Sequence, residues 1–339
     1  MAIKIGNSDI TLKLGSSDVT AAYIGDTKLY PQSPTPTPSY SGQYLTFIAE
    51  GNGTFKFSGN SINYSLDSGS TWTSLASNTN TPTVNAGDKI MWKATLTPTS
   101  SIGIGTFVSS GNFTVEGNPM SLHYGDDFVG QTDLTGKNYA FRKLFSGCTT
   151  LTSAENLSLP ATTLASWCYQ SMFQGCTSLT TAPVLSATTL ANSCYSSMFY
   201  GCTSLTTALE LLATTLAESC YEQMFYGCSN LTTAPSLPAT TLASQCYRSM
   251  FQNCTSLTTA PQLLATTLAK YCYNYMFYNC TSLNSITCLA TNISASNCTA
   301  NWVSSVAANG MFTKAASMSS WTTGNNGIPS GWTVQDYQS

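Results

Sequence analysis

Charged residues are scarce in this 339-residue chain, because Asp, Glu, Lys and Arg together make up only 8% of it. An ordinary soluble domain carries about a quarter of its residues as charges. The formal net charge is −3, so the chain lacks the basic surface on which binding to nucleic acid or to an anionic membrane depends. We therefore expect neither nucleic acid nor membrane among its partners.

Histidine and long apolar runs are missing as well. His123 is the single histidine, so histidine-based catalysis and histidine-rich metal sites have almost nothing to draw on. No run of 18 apolar residues occurs, which predicts that no helix spans a membrane. Ser-His-Asp, HExxH, phosphate-loop and dinucleotide-binding patterns are also absent from the sequence. We expect a protein that is not an enzyme and has neither a cofactor nor a metal.

Two groups of acidic residues are candidate catalytic carboxylates. Glu218 and Glu222 are four residues apart, but they occur in one repeat only, which favours a solvated pair. Asp126 and Asp127 lie close to His123 and form the densest polar group of the chain. We interpret them as part of the loop that leads into the repeats, with Asp capping a turn.

What the chain has in abundance is hydroxyl groups, since Ser and Thr together occupy 97 positions. Residues 4–12, 13–21 and 22–30 are three related nonapeptides that place Gly and small polar residues between β-prone pairs. They predict short strands joined by tight turns, and hence an N-terminal β module over residues 1–30. Such a module is suited to anchoring by strand pairing with copies of itself or with another protein; the alternative is a flexible leader. No secretory signal precedes it, which predicts synthesis and assembly in a cytoplasm.

A stiff Pro/Thr linker at residues 31–39 is followed by a region with a period of two residues. That region, residues 40–117, predicts an immunoglobulin-like β-sandwich without a cysteine pair. The turn residues 67–70 predict a hairpin between the third and fourth strands. The seven predicted strands are residues 44–49, 54–58, 62–66, 71–75, 89–96, 103–107 and 112–115.

Beyond residue 140 the sequence repeats itself with a fixed period of about 26 residues. A fixed period of this length predicts a solenoid, in which each coil stacks only on its neighbours. We place this repeat domain at residues 118–310, including an N-terminal cap, and a C-terminal cap at residues 311–339. The period is set by five Met-Phe pairs: Met172-Phe173, Met198-Phe199, Met224-Phe225, Met250-Phe251 and Met276-Phe277.

Each repeat contains three recognisable segments. Thr-Ser-Leu-Thr-Thr-Ala predicts a short strand, and Ala-Thr-Thr-Leu-Ala predicts a second extended stretch. Cys-Tyr-x-x-Met-Phe-x-Gly/Asn-Cys has the spacing of a short helix or 3₁₀ turn that ends at Gly or Asn. The fold class is therefore mainly β, with short strands and short helices in the repeats.

All thirteen cysteines lie in the repeat region, where twelve of them form two columns. Pairs eight residues apart do not resemble zinc ligands. Disulfides between coils are geometrically conceivable, but a column of one small residue type favours buried free thiols. The first column is Cys168, Cys194, Cys220, Cys246, Cys272 and Cys298; the second is Cys176, Cys202, Cys228, Cys254 and Cys280, with Cys148 ahead of it.

The variable positions of the repeat carry aromatic and amide side chains. Tyrosine, glutamine and asparagine on consecutive coils predict a strip that suits a neutral polysaccharide, because sugar rings pack on aromatic faces and hydroxyls pair with amides. The alternative is that these tyrosines only shield an edge of the core. The candidate residues are Gln174, Tyr200, Tyr226, Gln252, Tyr271, Tyr275 and Tyr278, with Gln170 and Asn274 beside them.

The unit Met-Phe-x-Gly-Cys-Thr-Ser-Leu-Thr-Thr-Ala-Pro resembles the BspA-type leucine-rich repeats, over about residues 140–289. That resemblance implies a curved solenoid used for adhesion and ligand binding, without catalytic residues. The period is longer than the one usual in that family, which affects the expected curvature.

The order of β-rich N-terminus, Pro/Thr linker, sandwich and repeats is similar to that of fibre and capsid-appendage proteins of phages of gut Bacteroidales, including crAss-like phages. This resemblance implies a virion protein that residues 1–30 attach to other virion proteins and that displays its repeats to a host surface glycan or protein. Trimers are common among such fibres, so a homo-oligomer is expected by analogy. The alternatives are a bacterial surface adhesin, which would need a signal peptide, and a purely structural decoration protein.

Overall fold

The computed structural model describes residues 40–99, 103–319 and 321–338, together with four two-residue strands nearer the N-terminus. The chain divides into two units, Met1–Ser39 and Tyr40–Ser339. In the first unit, β1 (Lys13–Leu14) pairs antiparallel with β2 (Ser17–Asp18), and β3 (Tyr23–Ile24) pairs antiparallel with β4 (Thr27–Lys28). The remainder of the proposed anchor module and the linker at residues 31–39 lie outside the described residues.

The second unit opens with seven strands, each close to a predicted one. They are β5 (Leu45–Ala49), β6 (Phe55–Phe57), β7 (Ile62–Ser65), β8 (Thr73–Leu75), β9 (Lys89–Lys93), β10 (Phe107–Ser109) and β11 (Phe113–Gly117). The predicted hairpin is present, since β7 pairs antiparallel with β8 in the register Ile62 to Leu75. Asp67 closes its turn by accepting hydrogen bonds from the Thr71 hydroxyl at 2.6 Å and the Ser65 hydroxyl at 2.7 Å.

One of the seven strands is displaced from its predicted position. Residues 103–107 were expected to be extended, but β10 begins only at Phe107. Gly103 and Gly105 have φ values of 65° and 131°, and Thr99 and Gly103 exchange both of their backbone hydrogen bonds. A strand cannot run through these left-handed residues, so it starts after them.

The strands form two sheets whose aromatic sides meet. One sheet has the order β12-β11-β5-β9-β7-β8, and the other pairs β6 with β10. Phe47 of β5 packs edge-on against Phe107 of β10, with ring centroids 4.8 Å apart, and also contacts Phe55 and Trp92. These rings are buried, so the region coheres through aromatic packing without any cysteine.

The first strand of the repeat region, β12 (Leu151–Leu157), joins this sheet by pairing in parallel with β11. Phe145 of the first coil also stacks on Phe107, with centroids 5.9 Å apart. The boundary predicted between residues 117 and 118 thus lies between two parts that share one sheet and one hydrophobic core. That core continues without a break from Leu45 to Trp332.

The repeats stack as successive coils, which we number from coil 1 (139–166) and coil 2 (167–192) to coil 6 (271–296). Between consecutive coils, alternate backbone amides of one coil donate to carbonyls of the next. Tyr195 N–H, for example, donates to Cys220 C=O at 3.0 Å, and Phe199 N–H donates to Met224 C=O at 2.9 Å. The stack is therefore held together by main-chain hydrogen bonds that do not depend on side-chain identity.

Of the two alternatives predicted for the cysteine-containing segment of each repeat, the short helix is wrong, whereas a turn closed three residues back, as in a 3₁₀ turn, is closer to the structure. The segment Cys-Tyr-x-x-Met-Phe-x-Gly/Asn-Cys, which we call the turn segment, is a series of overlapping turns. The amides that do not donate to the next coil donate to the carbonyl three residues earlier and so close a turn. Met198 N–H, for example, donates to Tyr195 C=O at 3.2 Å. Every fourth residue is left-handed, including Ser193, Ser197 and Gly201 with φ of 53°, 54° and 71°. An α-helix cannot contain a left-handed residue at every fourth position. The helical residues of the described chain are Ser121–Tyr124 (α1) and the 3₁₀ turns Tyr40–Gly42 and Gly125–Phe128.

The threonine-rich segments are extended but, in most coils, form single parallel bridges instead of strands. One series of bridges joins Thr163, Thr189, Thr215 and Thr241 in successive coils. Their side chains are exposed, and hydroxyls on a neighbouring column bind the backbone, as Thr180 Oγ1 does to Thr152 C=O at 2.9 Å. The high Ser and Thr content is therefore a property of these outer faces.

Inside the stack, each core position repeats as a column of identical side chains. Phe173, Phe199 and Phe225 stack with centroids 5.4 and 5.7 Å apart, and a parallel column of tyrosines runs from Tyr169 to Tyr273. The far end is closed by a three-stranded parallel sheet of β13 (Ser285–Cys288), β14 (Met311–Lys314) and β15 (Thr333–Asp336). Both ends of the coil stack are thus covered by β structure.

Candidate functional site

The outward side of the turn segments, which we call the turn face, carries the side chains that differ most from coil to coil. Four positions of coil 2 define it: Trp167, Gln170, Ser171 and Gln174. Their equivalents lie one repeat further on in each following coil. Because alternate amides tie each turn segment to the next, these positions stand in four parallel columns.

Five of the seven predicted ligand-surface residues share one of these columns, namely Gln174, Tyr200, Tyr226, Gln252 and Tyr278. All five are half-buried. The rings of Tyr200 and Tyr226 are parallel, with centroids 4.4 Å apart and an interplanar angle of 3°. Burial, reinforced by the neighbouring Tyr226, raises the pKa of Tyr200.

This stacking changes what the tyrosine column offers to a ligand. Tyr200 and Tyr226 cover each other's faces, so between them they expose ring edges and hydroxyls. A sugar ring cannot pack on the two faces that Tyr200 and Tyr226 turn towards each other. The outer faces of the two rings adjoin Gln174 and Gln252, so this column combines ring faces, hydroxyls and amides.

The other two predicted residues, Tyr271 and Tyr275, belong to different columns of the same face. Tyr271 is equivalent to Trp167 and has the Lys270 ammonium 5.4 Å from its ring centroid. Tyr275 is equivalent to Ser171; its ring meets Tyr278 edge-on at 5.5 Å, and its hydroxyl accepts from Asn301 Nδ2 at 3.2 Å. The last coil therefore gathers three of the predicted tyrosines on one face.

An aromatic pair at the opposite end of the turn face was missed by sequence reasoning. Tyr139 and Trp167 stack with centroids 4.9 Å apart and an interplanar angle of 9°, and the Arg142 guanidinium lies 5.5 Å from the Tyr139 ring centroid. Trp167 is half-buried. Aligning the coils in register would have placed Trp167 in the same column as Tyr271.

A polar network crosses three coils in the column of Gln170. Arg248 donates from Nη1 to Glu222 Oε1 at 3.1 Å and from Nε to Asn274 Oδ1 at 3.1 Å. Asn274 is buried, and its Nδ2 donates to Ala300 C=O at 3.1 Å. Glu222 is thus one member of an ion pair. Glu218, the second residue of the candidate carboxylate pair, is exposed.

The two cysteine columns lie beneath the turn face as buried free thiols. In the second column each thiol donates to a Phe carbonyl of the preceding coil, as Cys202 Sγ does to Phe173 C=O at 3.1 Å. Burial raises the pKa of Cys228 and Cys254, among others. A thiol in this setting stays protonated and fills the role of a small core residue with one hydrogen bond.

The fold separates His123, which is buried, from Asp126 and Asp127, which are exposed. Asp126 is exposed and accepts from Tyr44 Oη at 2.6 Å and from Lys93 Nζ at 2.8 Å, and these contacts lower its pKa. His123 is buried, with Nδ1 2.9 Å from Leu96 C=O and Nε2 3.2 Å from Ala140 C=O. Its ring therefore bridges the loop after β9 and the first coil, whereas Asp127 is exposed.

Two negative findings concern the described residues alone. Nowhere in residues 40–99, 103–319 and 321–338 do three or more His, Cys, Asp or Glu side chains come together as metal ligands would. Over the same part of the chain, none of the helices has the length and hydropathy needed to cross a membrane.

Comparison with known proteins identifies the repeats. The family model for the BspA type leucine rich repeat region matches residues 138–258 and 196–313, which together cover just over half of the chain. No curated protein and no solved structure matches the chain. The register of the coils, their buried columns and this match agree, and the chain belongs to the BspA-type leucine-rich repeat family.

Proposed function

We propose that this chain is a non-enzymatic binding protein whose coils form a solenoid that presents the turn face to a glycan or protein on a cell surface. A BspA-type leucine-rich repeat region indicates a binding or adhesin role. We also propose that residues 40–117 form an immunoglobulin-like sandwich that supports the first coil. The pairing of β11 with β12 and the shared aromatic core support that arrangement.

The observation that carries the proposal is the distribution of variation among the coils. Core positions repeat almost unchanged, as do the exposed threonines of the outer segments. On the turn face, by contrast, the column of Gln170 continues as Ser196, Glu222, Arg248 and Asn274. A scaffold of fixed backbone and fixed core that varies its side chains on one face is suited to recognition.

A variant with a simplified turn face tests this proposal. Tyr200, Tyr226, Gln252 and Tyr278 are replaced together by serine, the residue that coil 1 carries in this column at Ser146. The matched control replaces Thr188, Thr214, Thr240 and Thr266, which are exposed on another face, by serine. Binding of the labelled full chain is measured on panels of bacterial cells, printed glycans and extracellular proteins.

We expect the native chain and the threonine control to bind the same targets and the turn-face variant to lose most of that binding. The proposal is contradicted if the native chain binds nothing on these panels, or if both variants bind as well as the native chain. Circular dichroism spectra confirm beforehand that both variants remain folded.

We further propose that the molecule is a homo-oligomeric virion appendage of a bacteriophage that residues 1–30 attach to other virion proteins. The layout of the sequence supports this, as does the separation of Met1–Ser39 from the rest of the chain as a unit of its own. A chain shortened to begin at Ser39 should fold and stay soluble yet fail to enter phage particles. Incorporation of the shortened chain would rule out the anchor. Recovery of the native chain from bacterial envelopes in place of particles would favour a surface adhesin.

A further inference from the structure

At three of its four turn-face positions coil 3 carries serine, and each of these serines has a larger equivalent in coil 2 or in coil 4. Its residues Ser193, Ser196 and Ser197 replace Trp167, Gln170 and Ser171 of coil 2. In coil 4 the same positions hold Ser219, Glu222 and Gln223. We call the part of the turn face around these serines, between the larger side chains of coils 2 and 4, the coil-3 notch.

Trp167 forms one wall of the notch, and one face of its indole ring has no stacked aromatic neighbour among the described residues. One face of its indole ring is covered by Tyr139 of the preceding coil, at 4.9 Å and nearly parallel. The opposite face is directed towards the next coil, where the equivalent residue is Ser193, and no other ring of the described chain stacks on Trp167. Because the next residue in its column is a serine, a ring can pack against this second face of Trp167.

The floor of the notch includes two serine hydroxyls that make no hydrogen bond to a described residue. Ser196 is 5% exposed and Ser219 is 7% exposed. Neither side chain hydrogen-bonds to a described residue. Neither hydroxyl oxygen is completely sealed from solvent. Ser197 Oγ donates to Gln223 Oε1 at 3.3 Å. Nearly buried hydroxyls that still reach the surface without a partner are poised to bind the hydroxyls of a ligand.

The opposite wall carries no net charge. Glu222 is paired with Arg248, so its carboxylate is neutralised from the side of coil 5. In the column of Trp167 two serines follow, and the next large side chain is Gln245, three coils away. At about 4.8 Å per coil Gln245 lies roughly 14 Å from Trp167 along the stack, which leaves about 11 Å once a van der Waals contact distance is subtracted. That length accommodates one sugar ring stacked on Trp167 and part of the next.

We propose that the coil-3 notch binds a hexopyranose unit of a neutral glycan, with the apolar face of the sugar on Trp167 and its hydroxyls on Ser196, Ser219 and the flanking amides. An aromatic face beside uncharged hydroxyl and amide groups matches a neutral sugar, which offers an apolar ring face and a rim of hydroxyls. This inference rests on the proposed function, whose turn face it narrows to one site and one ligand class.

The test uses the full chain on an array of neutral polysaccharides (β-glucan, mannan, xylan and galactan), acidic polysaccharides and extracellular proteins. Affinity for a short oligosaccharide of each neutral polymer that binds is then measured by calorimetry. Trp167→Ala removes the stacking wall. Ser193→Tyr leaves Trp167 in place and fills the notch with a ring, at a backbone position whose φ of 53° matches the 56° of Tyr271 in the same column.

We expect each of these two variants to lose about tenfold or more in affinity, while the control Tyr337→Ala, at an exposed tyrosine outside the coils, stays within about twofold of the native chain. Binding to a neutral glycan that neither variant weakens would overturn the notch but leave the proposed function intact. So would binding to proteins or acidic glycans alone. A chain that binds nothing on the array would count against both. Ser193→Tyr keeps the test decisive if Trp167→Ala fails to fold.

Discussion

The Phe column is the part of the coil stack whose loss should cost the most stability. Phe199 is fully buried in coil 3 and stacks on Phe173 at 5.4 Å and on Phe225 at 5.7 Å. Replacing a buried Phe by Ala costs about 3–5 kcal/mol of unfolding free energy. Two ring pairs, each worth about 0.5–1.5 kcal/mol beyond their buried area, are lost with it. We expect Phe199→Ala to destabilise the protein by about 4 kcal/mol.

The neighbouring residue provides the matched control. Tyr200 is half-buried on the turn face, and its one ring pair is with Tyr226. Its replacement by alanine should therefore cost about 1 kcal/mol. The two variants are compared by guanidinium chloride unfolding, followed both by far-UV circular dichroism and by tryptophan fluorescence. A loss below about 1 kcal/mol for Phe199→Ala, or an equal loss for Tyr200→Ala, would refute the assignment of the Phe column as the core of the stack.

Three further predictions concern titratable groups. Because burial raises the pKa of the cysteine thiols, iodoacetamide at pH 8 should leave the native protein almost unmodified and should label all thirteen cysteines after unfolding; a mass that shows disulfides instead would contradict the free-thiol assignment. Hydrogen bonds from Thr71 and Ser65 lower the pKa of Asp67 to about 2, so its contribution to stability is complete above its unfolded value of about 3.9 and is lost as the pH falls towards about 2; Asp67→Asn should remove that part of the acid transition in a pH series of urea unfolding curves. Burial lowers the pKa of His123 to about 4, so stability should fall as the pH drops from about 6.5 to about 4, and His123→Gln should flatten this interval; an imidazole that titrates near pH 6.5 in NMR spectra of the folded protein would show the assignment to be wrong.

Much of the architecture could be predicted from the sequence because the signals were periodic. The alternation of residues 40–117 located six of the seven strands and the hairpin at Asp67. The fixed period of the repeats located the coils and the family. Both are repeated local patterns, in which each copy confirms the next.

The turn segments could not be predicted in the same way. The spacing of Cys194, Met198 and Phe199 fits a helix, and it also fits turns that place a left-handed residue every four positions. The choice depends on where the amides of this segment find acceptors, which is the neighbouring coil. An acceptor supplied by another coil is a tertiary effect that local propensity does not contain.

The candidate site was found in part. The tyrosines of the turn face were recognised as exposed-type residues at variable positions, but the stacking of Tyr200 on Tyr226, which covers one face of each ring, was not predicted. Trp167 went unnoticed because serines follow it in its column. The same small residues leave one face of its ring without a stacked aromatic neighbour among the described residues, which only the stacked arrangement makes visible.

The inter-coil hydrogen bonds described above have a consequence for how such a gene can change. Each coil presents the same backbone donors and the same buried side chains to its neighbour. An in-frame gain or loss of one whole repeat therefore leaves each cap packed against an equivalent coil. Near-identical repeats also favour unequal recombination between copies. Relatives of this protein can therefore differ in length by whole coils, and each added coil brings four more variable side chains to the turn face.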